Sequence, residues 1–149
     1  MSIAVQANPE KKQQAYQLIA ELQNERQEVW SSYCHIAELI PKAANQAVRK
    51  KLAQFSEILI DYISLGHFGV CECLFADADS QNPALSSVAK EIYPALSFTT
   101  EAAVSFNDKY ENDTTATISD DLKQDLSALG ESLAKRIDLE DRLCELMLQ

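Results

Sequence analysis

The side chains able to bind a metal or move a proton at neutral pH are few. They are His35, His67 and the four cysteines Cys34, Cys71, Cys73 and Cys144, set among 23 Asp and Glu residues. Cys71 and Cys73 stand about 200° apart around a helix, so they cannot chelate one ion together. Cys34 and His35 are adjacent and point apart. A zinc site would require an accident of tertiary placement. No Glu-x-x-His pair repeats on two helices, as a di-iron bundle needs. There is no Gly-rich phosphate loop and no nucleophile motif. His67 flanks Asp61 and could carry a proton, although a structural hydrogen bond is its simpler use. Arg136 and Glu140 are four apart, the spacing of a local ion pair rather than of a catalytic dyad. Neither a cofactor nor an enzymatic activity is therefore expected.

A richer constellation is Asp61, Ser64, Leu65, Phe68, Glu72 and Phe75. At 100° per residue these fall on one side of a helix, opposite Phe55, Leu59, Tyr62, Gly66 and Val70. A face in contact only with water has no use for Phe68 and Phe75. Two readings follow from the spacing. Either the helix is central and covered on both sides, with Asp61 and Glu72 near its rim, or the second face is a docking surface for a basic helix. Gly66 and Gly69 each cost about 1 kcal/mol relative to Ala in a helix. Gly66 lies on the inward stripe, where close packing accounts for it, and a kink at Gly66–Gly69 is compatible with the sequence.

The elements that must position this face are helical. After Asn8-Pro9, a cap and first-turn signal, apolar residues recur at Ala15, Ile19, Leu22, Val29, Tyr33, Ile36 and Ile40, flanked by Trp30 and ended by Pro41. Val48, Leu52, Phe55, Leu59, Tyr62, Gly66, Val70 and Cys73 form a second stripe. Asn82-Pro83 opens a short helix to Tyr93. Pro94 is expected to start another, with Ala95, Phe98, Ala102, Phe106 and Tyr110 inward. Ser119 is a plausible cap for a last helix, whose stripe is Leu122, Leu126, Leu129, Leu133, Ile137, Leu143 and Met147. No period-2 run of β-branched residues occurs. These features predict an all-α fold, an antiparallel helical bundle with a four-helix core and additional short helices, in one domain spanning residues 1–149.

Composition narrows the partner. The formal charge is −10, which argues against direct DNA or RNA binding and suits a basic partner. Residues 1–51 carry seven basic and five acidic side chains, whereas residues 52–149 carry six and eighteen. No Lys or Arg occurs between Leu52 and Ala89, so Glu57, Asp61, Glu72, Asp77 and Asp79 have no cation within that segment. Residues 1–10 lack the basic and apolar regions of a signal peptide. No apolar run approaches the ~20 residues of a membrane span. Reduced thiols and a cytoplasmic location are the simplest expectation.

The segment Leu59-Ile60-Asp61-Tyr62-Ile63-Ser64-Leu65-Gly66-His67-Phe68 resembles the signature of the Rsd/AlgQ family, regulators of the primary sigma factor. Ala89-Lys90-Glu91-Ile92-Tyr93-Pro94, Leu129-Gly130-Glu131-Ser132-Leu133 and Leu139-Glu140-Asp141-Arg142-Leu143 agree in the same order. Glu25-Arg26-Gln27 and Tyr33-Cys34 match more loosely. Ala20, Glu21 and Leu22 stand where the family often has Asp-Arg-Trp, and Ser31 and Ser32 replace residues usually apolar. The resemblance implies an all-helical, non-enzymatic anti-sigma factor of stress or stationary phase. Such a protein binds region 4 of the primary sigma factor and withholds it from promoter and core polymerase. It places the contact on Asp61, Ser64 and Phe68, to which the helical phase adds Leu65 and Glu72. An HPr-like phosphocarrier or a stringent-response enzyme is the alternative partner for an adaptor of the same fold.

Overall fold

The structure is a computed structural model that describes residues 9–40, 45–66, 83–110 and 121–147. Four long helices fill these ranges: α1 (Pro9–Leu39), α2 (Asn45–Ser64), α3 (Pro83–Tyr110) and α4 (Leu122–Met147). Each packs on two others: α1 on α2 and α4, and α3 on α2 and α4. Contacts fix the directions. Tyr33 of α1 meets Phe55 of α2 and the Leu126 carbonyl of α4, while Arg26 of α1 meets Glu140 of α4. The result is the expected antiparallel four-helix core, each helix running against both neighbours.

The inward stripes on α1 and α2 follow the expected positions. Ala15, Ile19, Leu22, Val29 and Ile36 are buried, as are Val48, Leu52, Phe55, Leu59 and Tyr62. Ser56 and Ile63 widen the buried arc of α2. At one end of the core, aromatic rings step across the bundle. Trp30 meets Tyr33 edge-on with centroids 5.3 Å apart, and Phe55 meets Phe106 in the same way at 6.0 Å. Such edge-to-face pairs add to plain burial.

Two expectations are corrected. Pro94 does not start a helix, because α3 runs through it. Phe98 does not face inward, being 69% exposed. The stripe of α3 that enters the core is Ala89, Ile92, Leu96, Thr99, Ala103, Phe106 and Tyr110, an alternation of three and four residues that the exposed Phe98 and Pro94 obscure. On α4, Ile137 is only half-buried, and Arg136 and Glu140 occupy the inward positions between Leu133 and Leu143. Among the described residues no helix is long and apolar enough to cross a membrane, and no group of His, Cys, Asp or Glu is placed to hold a metal ion.

Candidate partner-binding face and the ion pair beneath it

The exposed ridge of α2 is built from Gln54, Glu57 and Asp61, with Ser64 and Leu65 half-buried at its end. The spacing explains this. Tyr62 and Gly66 turn inward, so Asp61 and Leu65, one residue behind each, turn toward the rim shared with α1. Here the helix widens into a π turn at Leu65–Gly66, a local departure frequent at functional sites. His67, Phe68, Gly69, Val70, Glu72 and Phe75 lie outside the described residues, as does Ser119.

Across the rim, α1 contributes a second row of acids. Glu25 is half-buried, and its carboxyl is held above the ordinary range first by burial and then by Asp61, Glu28 and Glu21 around it. One of its oxygens is buried without a hydrogen-bond partner. Among the described residues none of these four carboxylates has an ion-pair partner. Between α1 and α2 the acidic rim continues into a polar groove of about 500 Å³ lined in part by Asn24, Glu28, Ser32, Gln54 and Ile58, with His35 and Lys51 at its far end. The groove itself holds one carboxylate, Glu28, and one lysine, Lys51; it is the cluster of Glu21, Glu25, Glu28 and Asp61 at its rim that favours a cation brought by another molecule.

Directly beneath the α2 turn lies a charged node. Arg136 is fully buried and Glu140 almost so. The Arg136 Nε donates to Glu140 Oε2 at 3.0 Å, and its Nη1 donates to the Thr100 and Thr99 hydroxyls at 2.8 and 3.2 Å. The Tyr62 hydroxyl donates to Glu140 Oε1, which also accepts from Arg26 Nη2 at 3.3 Å. Arg26 reaches on to Asp141 at 2.9 Å. Thus α1, α2, α3 and α4 all meet at one carboxylate–guanidinium pair. Burial and the neighbouring Glu140 carboxylate push the Tyr62 phenol far above its ordinary value, so it stays a donor. Burial works against the charge of Arg26, but its bond to Asp141 and the surrounding negative groups outweigh it. Burial also raises the Cys144 thiol to about 11. Cys144 is buried beside the node, near Glu140, Arg26 and Asp141, and Cys34 is a free thiol on the surface.

The sequence placed Arg136 and Glu140 as an ion pair but not in the core, and it gave no role to Arg26, Glu25, Thr99 or Thr100. The signal was present. Leu122, Leu126, Leu129, Leu133, Arg136, Glu140 and Leu143 keep an unbroken four–three alternation, and a charged pair in phase with leucines marks a buried pair.

Comparison with known proteins bears on the family. The family model described as "Regulator of RNA polymerase sigma(70) subunit, Rsd/AlgQ" matches residues 1–148. The regulator of sigma D of Yersinia enterocolitica is 30% identical over 135 residues, covering 87% of this chain and 79% of that protein. That of Yersinia pseudotuberculosis serotype O:1b is also 30% identical over 135 residues, covering 87% and 78%. That of Enterobacter sp. strain 638 is 36% identical over 100 residues, covering 66% and 59%. No solved structure gives a significant match.

Proposed function

The chain belongs to the Rsd/AlgQ family, regulators of the RNA polymerase sigma(70) subunit, and from that premise we propose that it is a non-enzymatic anti-sigma factor acting in the cytoplasm. It binds region 4 of the primary sigma factor through the end of α2. The observation that carries this reading is Asp61, exposed and without an ion-pair partner among the described residues, beside half-buried Ser64 and Leu65 on one turn. That turn lies in the segment with the most specific resemblance to the family.

The mechanism is coverage rather than chemistry. Region 4 is a basic helix-turn-helix whose Arg and Lys side chains otherwise meet promoter phosphates and core polymerase. Asp61, with Glu25 and Glu28 across the rim, offers those cations carboxylates that have no ion-pair partner among the described residues. Leu65 and Phe68 supply the apolar anchors, Ser64 a hydrogen bond, and Glu72 a further charge. Anchors set the lifetime of such a complex, and charges mainly set its rate of encounter. A cation docked beside Glu25 also relieves the repulsion among its neighbours, so part of the cost of crowding these carboxylates returns on binding.

The test is biolayer interferometry with immobilised region 4 at low salt. Wild-type protein binds, and Asp61→Lys loses at least roughly tenfold in affinity, a change of ~1.4 kcal/mol. Phe68→Ala weakens binding more than Glu72→Gln does. Absence of binding by the wild-type chain refutes the reading. Recovery of a phosphocarrier or a nucleotide-metabolising enzyme instead, in a pull-down from extract, redirects it to an adaptor role.

A further inference from the structure

The contact between Gly66 and the buried pair has the geometry of a positioning device. A methyl group added at Gly66 would lie 2.9 Å from Glu140 Oε2 and 3.0 Å from Arg136 Nη2. Such closeness is tolerable when the atoms struck belong to a free side-chain end; Arg136 Nη2 has no hydrogen-bond partner among the described residues, but its planar guanidinium is fixed through Nε and Nη1. Glu140 is tied to Tyr62, Arg26 and Arg136, and Arg136 to Thr99 and Thr100. The glycine is not needed for backbone reasons, because none of the described residues has a positive φ. It is there for proximity.

The node also touches α2 selectively. Tyr62 is bonded to Glu140 and Gly66 lies close against the pair, while Ile63 is buried, Asp61 is exposed and Ser64 and Leu65 are half-buried. A bonded residue thus follows Asp61, and a residue in close contact with the node follows Leu65, where the helix widens. Any slide or rotation of this turn relative to α4 moves the pinned and presented residues together. A buried ion pair is a poor choice if stability alone is at stake, since well-packed apolar residues often do as well or better. Its directional bonds to four helices fix geometry in a way that apolar packing does not.

We propose that Gly66, Arg136 and Glu140 are positioning residues that hold the Asp61–Leu65 turn in its partner-binding orientation. This inference rests on the proposed binding of sigma region 4 by that turn. It adds residues that the partner never touches.

Gly130 provides a matched control. A methyl group there collides with the Tyr33 hydroxyl, which is itself tied to the Leu126 carbonyl at 2.8 Å, at the aromatic end of the core away from Asp61. Affinity for region 4 is measured for wild type, Asp61→Lys, Gly66→Ala and Gly130→Ala, at a temperature where circular dichroism shows all four folded. The expected result is a loss of roughly tenfold or more for Gly66→Ala and a change within about twofold for Gly130→Ala, whatever their melting temperatures. Amide NMR shifts of residues 61–65 should move in Gly66→Ala and stay in Gly130→Ala. Should Gly66→Ala fail to fold, Tyr62→Phe deletes one bond to the node without adding bulk. It should lower affinity while preserving the fold. Equal affinities for Gly66→Ala and Gly130→Ala, or an undiminished Tyr62→Phe where that variant is needed, overturn the positioning role alone. Failure of wild-type binding overturns the partner reading on which it stands.

Discussion

Arg136 and Glu140 form a buried pair directly beneath the proposed partner-binding turn. Removing either partner strands a charge where water cannot reach, which costs about 3–5 kcal/mol. Glu140→Leu should therefore lower the urea unfolding free energy by about that amount, since it leaves Arg136 without its carboxylate. Arg136→Met with Glu140→Leu should lose less than the sum of the single changes, with a coupling of about 2–3 kcal/mol in a double-mutant cycle. Arg26 survives both replacements because Asp141 still accepts from it. Glu25 behaves in the opposite sense. Its folded carboxyl titrates above its unfolded value, so its stabilising contribution is complete below the usual carboxylate range and is lost as pH rises through the folded value. At neutral pH the ionised Glu25 is a liability. Glu25→Gln should give a small rise in thermal midpoint at about pH 7 and none near pH 4, read by scanning calorimetry. The same substitution removes a carboxylate from the proposed docking rim and should weaken binding of region 4. Stability and affinity then move in opposite directions at one residue, as expected where repulsion is kept for a partner.

Among the elements, α3 departs most from its own sequence. A proline inside a helix removes the hydrogen bond to the carbonyl four residues back, here that of Lys90, and crowds that carbonyl with its ring. Pro94 is exposed, so its side chain returns little by burial. Pro94→Ala should raise the unfolding free energy by about 1 kcal/mol or more in urea, by restoring that bond. A decrease instead would mean that the packing around Leu96 depends on the irregular turn. The α3 stripe was illegible for the same reason. Proline normally reads as a start signal, and Phe98 is a stronger apolar marker than Thr99 or Ala103. The inward positions nonetheless went to the smaller residues Thr99 and Ala103, and the Thr99 hydroxyl there accepts from Arg136. On α1 and α2, and along most of α4, hydrophobic period alone located the buried face, since leucine, phenylalanine and valine there have no competing polar task. The outward end of α2 could be read from the wheel, with Asp61, Ser64 and Leu65 off the buried stripe. Of the charged node only the Arg136–Glu140 pair left a trace, in its phase with the α4 leucines; its partners Arg26, Tyr62, Thr99 and Thr100 come from three other helices, and pairing between distant segments leaves no local period.

At the scale of the whole molecule, the charge of −10 surrounds the proposed docking rim with a negative field that reaches about one Debye length, roughly 10 Å at 0.1 M salt. Carboxylates paired within the bundle contribute little to it. Asp125 is held below the usual carboxylate range, first by its bond from Lys109 and then by that from Tyr110, and so already has its cation. Glu140 and Asp141 are matched by Arg136 and Arg26. The unmatched carboxylates described near the rim are Glu21, Glu25, Glu28, Glu57 and Asp61, and these should dominate the pull on an approaching basic helix. Long-range attraction of this kind acts on encounter far more than on the formed complex, whose contacts are short and partly shielded from ions. Stopped-flow association with region 4 should therefore slow by roughly tenfold or more between about 50 and 500 mM salt, while dissociation changes by less than about threefold. Asp61→Asn should flatten that salt dependence, whereas Asp108→Asn, an exposed change on α3, a helix that packs on α2 and α4, should leave its slope close to wild type. If both substitutions flattened it equally, net charge rather than the placement of these five carboxylates would be steering the partner.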